Sequence, residues 1–380
     1  MAVICVDIHP DGDEVGVMSD GTERSDVAYV WPETLRRPPS PPQVVYLDLN
    51  HWIDLAKAMV GHPDGENLGW VLDSCVDLVN RGVAVFPISD TIYFEISKIG
   101  RYRQRRHLRD VIELISRYTV VTSRPVVSVH EIEAILDSWV GANPDPINKM
   151  DYLDWGVARA FGKVGGFQIK SNDGADVTAE TRLSYPGGPA AFDSLMAEAE
   201  LELNRRVIDG PTLEEEPELR SYGWDPTVAF EGAKKRAEQE IAQVKTFNEN
   251  PKWRRGRIRD VVAAREILIE INAPLFRGLA ERGAELEDVF PSPETVRQAF
   301  DSMPSFDVAV TLKTSLHKNS KHQWKTNDIS DIDALGSTLP YCDVVVTDAA
   351  MASHVLSTGL ADRLNTRVLS RLSELPGHLG

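Results

Sequence analysis

The sequence predicts an α/β fold, in which a parallel sheet is split by a large helical insertion and preceded by a small β appendage. From Val44 to about residue 125, apolar strand-like runs alternate with helical patterns, which is typical of parallel strands joined by helical crossovers. The alternation returns at about residue 326, after a long stretch of mostly helical spacing. Before Val44, short β-type runs are separated by turn signals, as in small antiparallel units.

Residues 1–43 are predicted to form the β appendage and a proline-rich linker. The β-type runs cover residues 2–7, 15–18 and 27–31. Between them lie the turn signals Pro10-Asp11-Gly12 and Asp20-Gly21. The segment from Arg37 to Pro42 is rich in proline, which excludes helix and favours an extended linker.

The sheet domain is predicted in two parts, residues 44–125 and 326–380, with a mostly helical insertion at 126–325. Its strands are expected at residues 44–48, 83–88, 118–122, 343–347 and 366–370. Its helices are expected at residues 51–60, 67–80, 90–99, 104–117, 329–338 and 348–358. Within the insertion, helical spacing covers residues 147–161, 190–209, 227–248 and 257–283.

Composition limits the functions that this chain of 380 residues can have. The net charge of −17 argues against general adsorption to nucleic acid or anionic membranes, so a polyanionic partner needs local basic patches. No segment is long and apolar enough to span a bilayer, and no secretory signal pattern begins the chain. The three cysteines are far apart in apolar segments, which indicates reduced thiols. We therefore expect a cytoplasmic protein that is not bound to membranes.

Two acidic residues stand where predicted parallel strands end. Asp48 follows an apolar run that begins at Val44, and Asp348 follows another that begins at Val344. Ligands of open α/β sheets bind at this edge, so the two carboxylates are expected to lie close together. The alternative for each is a helix N-cap, although Asn50 is the better placed residue to cap the first helix.

Two further acids belong to predicted helices near the same edge. Glu95 lies on an apolar helix face between Ile92 and Ile99, where a buried carboxylate needs a cation or hydrogen-bond donors. Asp331 belongs to an acidic cluster at residues 328–333, near the start of a helix. The alternatives are an arginine ion pair for Glu95 and a helix-dipole role for Asp331. The joint occurrence of four acids favours a site for Mg²⁺ or Mn²⁺.

At these residues the chain resembles the PIN-like nucleases. The resemblance rests on Asp48-Leu49-Asn50 after the first strand, Pro87-Ile88-Ser89 leading to Glu95, Asp331 on a late helix, and Val345-Val346-Thr347-Asp348 closing a strand. It implies a Rossmann-like parallel sheet and three or four acids that bind Mg²⁺ or Mn²⁺. It also implies cleavage of single-stranded or structured RNA, and bacterial members of this family include many toxin ribonucleases.

Transferred residue by residue, the resemblance makes the four acids both the metal ligands and the catalytic set: Asp48, Glu95, Asp331 and Asp348. Asn50, Thr347 and Asp328 would support them. For the third ligand, Asp328, Asp333 and Asp343 are alternatives. Asp331 is preferred because its distance in sequence from Asp348 best matches the spacing of the family.

Three basic patches indicate a polyanionic substrate independently of the resemblance. The first patch contains Lys98, Arg101, Arg103, Arg105, Arg106 and Arg109. The second contains Lys252, Arg254, Arg255, Arg257 and Arg259 beside Trp253, and the third contains Lys313, Lys318, Lys321 and Lys325. Such patches bind phosphates, and an adjacent aromatic ring can stack on a base. The expected substrate contacts are Arg101, Arg103, Arg106, Arg255 and Lys321. The alternative for each patch is a solvated helix face or an intramolecular partner for the acidic run at residues 214–218.

The sequence therefore predicts a metal-dependent nuclease that cleaves RNA, with DNA as the alternative substrate. A phosphatase of the haloacid dehalogenase type is a rival, but it needs a second aspartate where this chain has Asn50. A non-catalytic scaffold that binds RNA or a protein partner is the other rival. A toxin or defence role, a protein inhibitor or other partner, and a homo-oligomer are left open at this stage.

Overall fold

A computed structural model describes residues 42–142, 149–163, 167–223, 225 and 227–379. The predicted N-terminal β appendage and nearly all of its linker lie outside these residues. The described strands are β1 (Gln43–Leu47), β2 (Ala84–Val85), β3 (Thr119–Val121), β4 (Leu153–Trp155), β5 (Val344–Val346) and β6 (Arg367–Leu369). Four of them form a parallel sheet in the order β2-β1-β5-β6. The predicted α/β class with a parallel sheet is thereby confirmed.

The centre of the sheet is formed by β1 and β5, whose mostly apolar side chains are covered on both faces. Leu47 pairs with Val346, so the two strands end at the same level. Every residue of β5 is buried, as are four of the five residues of β1. Runs of buried valine are typical of parallel strands between helical layers.

The predicted strand at 83–88 is shorter than expected, since β2 contains only Ala84 and Val85. Pro87 has no N–H group to donate to a neighbouring strand, which explains the early end. The chain resumes pairing at Ile88, which forms a parallel bridge with Val120 of β3. Through this bridge, β3 lies beside the four-stranded sheet.

The helix predicted at 147–161 is wrong for residues 149–156 and is confirmed only at Val157–Ala160. A 3₁₀ turn at Lys149–Tyr152 leads into β4, which pairs antiparallel with β3. Gly156 follows with φ of 91°, a left-handed conformation that favours glycine and separates β4 from the next short helix. Pairing with β3, which lies far away in sequence, overrides the local helical spacing.

Helices surround the sheet and form most of the region between its two parts. Before that region lie α1 (Leu49–Met59), α2 (Gly69–Asn80), α3 (Asp90–Ser97) and α4 (Tyr102–Ile115). The region itself contains α5 (Arg124–Trp139), α6 (Val157–Ala160), α7 (Thr178–Ser184), α8 (Gly188–Asp209), α9 (Glu216–Ser221), α10 (Val228–Glu249), α11 (Pro251–Gly256), α12 (Ile258–Glu266), a π-helical turn (Ile267–Ile271), α13 (Asn272–Glu281), α14 (Leu286–Val289), α15 (Pro293–Asp301) and α16 (Pro304–Lys318). The remaining helices are α17 (Thr326–Thr338), α18 (Ala349–Ser357) and α19 (Leu360–Leu364).

Two large apolar clusters hold this arrangement together. The main cluster contains the sheet together with the buried faces of the surrounding helices, including Trp52 and Ile332. The second is formed by helices of the central region and includes Leu136, Phe247 and Phe306. Because α5 and α16 contribute to the second cluster and also contact α17, the central helices pack directly on the sheet domain. Among the described helices, none has the length and apolar character needed to cross a membrane.

Candidate functional site

Asp48 and Asp348 leave neighbouring strands at the same edge of the sheet. Asp48 follows β1, and its backbone N–H donates to the carbonyl of Val346 at the end of β5 (2.9 Å). Asp348 lies two residues beyond Val346 on the same strand. The register of β1 and β5 therefore brings together two acids that lie three hundred residues apart in sequence.

Both aspartates also cap the helices that they precede. Oδ1 of Asp48 accepts a hydrogen bond from the N–H of Leu49 (2.7 Å) at the start of α1. Oδ1 of Asp348 accepts from the N–H groups of Ala350 (2.7 Å) and Met351 (3.1 Å) in α18. The expectation that Asn50 caps the first helix is wrong, because α1 begins at Leu49, two residues before the predicted start, and Asn50 is exposed within it. Oδ2 of each aspartate accepts no hydrogen bond from the described residues.

The caps predict different effects for two substitutions of Asp348. Asparagine caps helices as well as aspartate does, so Asp348→Asn should leave the free energy of unfolding without metal nearly unchanged or slightly higher. Asp348→Ala removes the acceptor of both N–H groups and should cost about 1 kcal/mol. Urea unfolding in EDTA measures both values. Equal stability of the two variants would contradict a capping role.

Glu95 and Asp331 reach the same region from two helices that pack against each other. Glu95 lies in α3, which begins after Ser89, and Asp331 lies in the second turn of α17. The helix dipole acts on the first turn of a helix, and Asp331 lies beyond the first turn of α17, so the helix-dipole alternative is wrong for this residue. Both side chains are half-buried, and neither has a hydrogen bond or ion pair with any described residue.

Electrostatic repulsion connects the four acids. Burial together with repulsion from Asp48, Glu95 and Asp348 raises the pKa of Asp331 to about 8. Burial and repulsion from Asp48 raise the pKa of Glu95 to about 7, although Lys98 opposes this shift. Burial and Asp348 also raise the pKa of Asp48. Asp48, Glu95 and Asp331 therefore share one region of negative potential, to which the charge of Asp348 contributes repulsion.

Each alternative to Asp331 already has a structural partner. Asp328 accepts from the N–H of Lys325 (2.6 Å) and contacts His322 (3.1 Å). The carboxylate of Asp333 is held by two arginines of other helices. Asp343 forms an ion pair with Lys149 and accepts from the backbone N–H of Val44. Of the acids between residues 328 and 343, Asp331 is the one that the described residues leave without a partner.

The chemistry of the four carboxylates fits a hard divalent cation. Their oxygens are the donors that such ions prefer, and they form no salt bridge with a described lysine or arginine. As the side chains stand, no three His, Cys, Asp or Glu residues in the described ranges are arranged to hold a metal ion. Without a cation, repulsion favours side-chain rotamers that keep the carboxylates apart, and the helix caps hold Asp48 and Asp348 in place. A shared cation would draw the carboxylate oxygens together.

The predicted supporting residues differ in their surroundings, and one of them, Asp328, adds to the repulsion that raises the pKa of Asp331. Asn50 is exposed and Thr347 is buried. Tyr46, which the sequence reasoning missed, lies two residues before Asp48 in β1 and shares the electrostatic environment of Asp48 and Glu95. Its hydroxyl group contacts the hydroxyl group of Ser89 (3.1 Å), the residue that caps α3. A tyrosine at strand spacing from Asp48 was the available signal, because alternate strand residues share a face.

The basic patches separate into structural and free cations. The structural group is held by carboxylates or carbonyl oxygens and contains Arg105, Arg109, Arg254, Arg259 and Lys313. Burial of Lys313 between Glu240 and Glu266 removes it from any surface patch. The predicted substrate contacts belong to the free group, which is exposed and forms no ion pair with the described residues: Arg101, Arg103, Arg106, Arg255 and Lys321.

Comparisons of the chain with protein-family models, with curated proteins and with solved structures find no match. A function for this protein is therefore inferred from its own residues and their geometry.

Proposed function

We propose that this protein is a divalent-metal-dependent nuclease of PIN-like architecture that cleaves RNA. One observation carries the proposal: four half-buried carboxyl groups from distant parts of the chain repel one another at the carboxyl edge of a parallel sheet, and no described basic side chain forms a salt bridge with them. Such a charge arrangement is costly unless a cation shares it.

Asp48, Glu95, Asp331 and Asp348 would hold Mg²⁺ or Mn²⁺. Bound there, such an ion supplies Lewis acidity towards a phosphodiester oxygen and lowers the pKa of its water. The backbone of the chain holds the metal-binding carboxylates in position. The backbone N–H groups at the starts of α1 and α18 fix Asp48 and Asp348 through hydrogen bonds to one oxygen of each, which leaves the second oxygen of each available.

Exposed cations on the sheet domain support a polyanionic substrate. Arg101, Arg103 and Arg106 lie at the start of α4, a few residues after the helix that carries Glu95. In a protein with a net charge of −17, free arginines at this position give a local positive field that attracts phosphates. Lys98 lies between the two helices and lowers the pKa of Glu95, which places positive charge beside the acidic set.

Cleavage of labelled single-stranded RNA and DNA, with Mn²⁺ or with EDTA, tests the proposal. We expect RNA cleavage with Mn²⁺, none with EDTA, and none by Asp48→Asn. Asp54→Asn is the matched control, because Asp54 lies in α1, the helix that Asp48 caps, and its only ion-pair partner among the described residues is Lys57 at the surface (3.3 Å). That control should cleave like the wild type.

Two other results would replace the proposal. Release of phosphate from small esters without cleavage of RNA would favour a phosphatase of the haloacid dehalogenase type. Tight RNA binding without metal-dependent cleavage would favour a non-catalytic scaffold. Cleavage by Asp48→Asn at the wild-type rate would remove the acidic set from catalysis.

The affinity for Mn²⁺ is expected to depend on pH because the cation competes with protons. The pKa values of Glu95 and Asp331 are raised to about 7 and about 8, so these groups hold protons at pH 6 and lose them by pH 8.5. Each displaced proton makes affinity rise about tenfold per pH unit. Titration calorimetry at pH 6, 7 and 8 should therefore give a total increase of about tenfold or more. A flat profile would contradict proton competition at this site.

A further inference from the structure

A buried ionic network lies behind the acidic site, on the side of the central helices. It joins four basic residues, four acidic residues and one histidine: Arg124, Arg236, Glu240, Arg265, Glu266, Glu270, Lys313, His317 and Asp333. All but Arg124 and Asp333 belong to helices or turns between residues 228 and 318. Asp333, in α17, is the point at which this network reaches the helix that carries Asp331.

Asp333 is held by two guanidinium groups. Arg236 of α10 donates from Nη1 to Oδ2 (2.5 Å) and from Nη2 to Oδ1 (2.9 Å), a bidentate geometry that fixes both distance and direction. Arg124 of α5 adds a third hydrogen bond to Oδ1 (3.0 Å). Both arginines are anchored in turn, Arg236 by Glu270 (2.7 Å) and Arg124 by Glu266.

Two residues of α-helix correspond to a rotation of about 200°, so Asp333 and Asp331 project from opposite sides of α17. Repulsion from Asp48 and Glu95 acts on Asp331 and therefore on the side of α17 that carries it. The arginines act on the other side of the helix and fix its rotation and position. Gly336, one turn later, allows Arg124 to pack against the helix backbone, since an added Cβ would lie 2.5 Å from Cδ of Arg124.

The anchors come from an unusual backbone segment. Glu266 ends α12, and Glu270 lies four residues later in the π-helical turn. A π-helical turn forms i→i+5 hydrogen bonds and so holds more residues per turn than an α-helix, which changes the direction of the side chains that follow. This places both glutamates where they meet the two arginines that hold Asp333.

We propose that Arg236 is a positioning residue of the metal site: by holding Asp333, it places Asp331 among the other three carboxylates. The central helical region is thus a part of the acidic site, through the hydrogen bonds that α10 donates to α17. This inference rests on the proposed function, and it adds a role for residues far from the acids in sequence.

The test compares Mn²⁺ affinity and local protection in Arg236→Met and Arg282→Met. Arg282 is a matched control, because it joins α13 to Glu133 and Asp137 of α5 and its side chain is 15% exposed, against 21% for Arg236. Loss of a residue that orients metal ligands typically weakens metal binding about ten- to a hundredfold. We expect at least about tenfold weaker Mn²⁺ binding by Arg236→Met, and less than about a twofold change by Arg282→Met.

Hydrogen exchange without metal gives a second readout. Amides of α17 should exchange faster in Arg236→Met than in Arg282→Met, since only the first substitution removes hydrogen bonds to Asp333. Arg236→Lys keeps the charge but loses the bidentate geometry, and its Mn²⁺ affinity should fall between wild type and Arg236→Met. If Arg236→Met does not fold, Arg236→Lys carries the test, with weaker binding than the wild type expected.

The outcomes separate this inference from the proposed function. If the wild type binds Mn²⁺ and cleaves RNA but the Arg236 variants bind Mn²⁺ as tightly as it does, the positioning role is overturned and the proposed function stands. If the wild type neither binds Mn²⁺ nor cleaves RNA, the proposed function is overturned and the positioning role is lost with it.

Discussion

The Asp331→Asn variant is expected to lose Mn²⁺-dependent RNA cleavage by on the order of a hundredfold or more, while gaining stability in the absence of metal. Asp331 experiences repulsion from all three other acids, so its carboxylate is the one most strongly destabilised without a cation. Asparagine keeps the size of the side chain but removes the charge. The substitution therefore removes a metal ligand and relieves repulsion in the same step.

The stability gain should depend on pH in a defined direction. The pKa of Asp331 is about 8 in the folded protein, whereas the unfolded chain ionises near the usual value of about 4. Between these values the unfolded state releases its proton first, so the wild type loses stability as pH rises from about 4 to about 8. After allowance for solvent screening of a half-buried group, Asp331→Asn should recover about 1 to 3 kcal/mol at pH 8.

Urea unfolding in EDTA at pH 5 and pH 8 measures this gain, and it should be larger at pH 8. Asp328→Asn is the matched control on the same helix, since Asp328 is engaged by the N–H of Lys325 and by His322. The control should keep RNA cleavage and should gain less stability than Asp331→Asn, because Asp328 contributes the weakest of the repulsions on Asp331. A loss of cleavage by Asp328→Asn, with activity retained by Asp331→Asn, would reverse the assignment of the third ligand.

The Arg124→Met variant is expected to cost about 3 kcal/mol of unfolding free energy. Arg124 is 4% exposed, and its guanidinium group contacts Glu266, which is 2% exposed, as well as Asp333. Methionine fills part of the same volume but supplies no charge. The buried ionic network would then keep its four acidic groups with only three basic residues, and burial of an unmatched carboxylate is strongly unfavourable.

Urea unfolding at pH 7 tests this value, with Arg81→Met as the control. The ion pair of Arg81 with Asp77 (2.9 Å) is similar in length to that of Arg124 with Asp333 (3.0 Å), but the side chains of Arg81 and Asp77 are 61% and 60% exposed. Solvent already screens that pair, so its removal should cost less than about 1 kcal/mol. If the two variants lost equal stability, burial would not be the factor that makes the network important.

The location of the acidic site was predictable in part because it depends on local patterns. Apolar runs that end at Asp48 and Asp348 identify parallel strands, and parallel strands place their carboxyl ends at one edge. The roles of individual acids were less predictable. Asp48 was expected to leave capping to Asn50, but it caps α1 itself. The helix starts at Leu49, and the exact first residue of a helix is difficult to predict from sequence.

The sequence by itself determined the α/β class, the parallel strands and the edge at which Asp48 and Asp348 lie, since these follow from hydrophobic spacing over a few residues. Only the tertiary structure decided which acids have partners. Asp333 meets Arg124 and Arg236, which lie 209 and 97 residues away in the chain, whereas Asp331 meets no described basic residue. The spacing of residues along a helix determines the face on which a carboxylate lies. Whether a basic residue neutralises that carboxylate depends on which distant helices pack against the face.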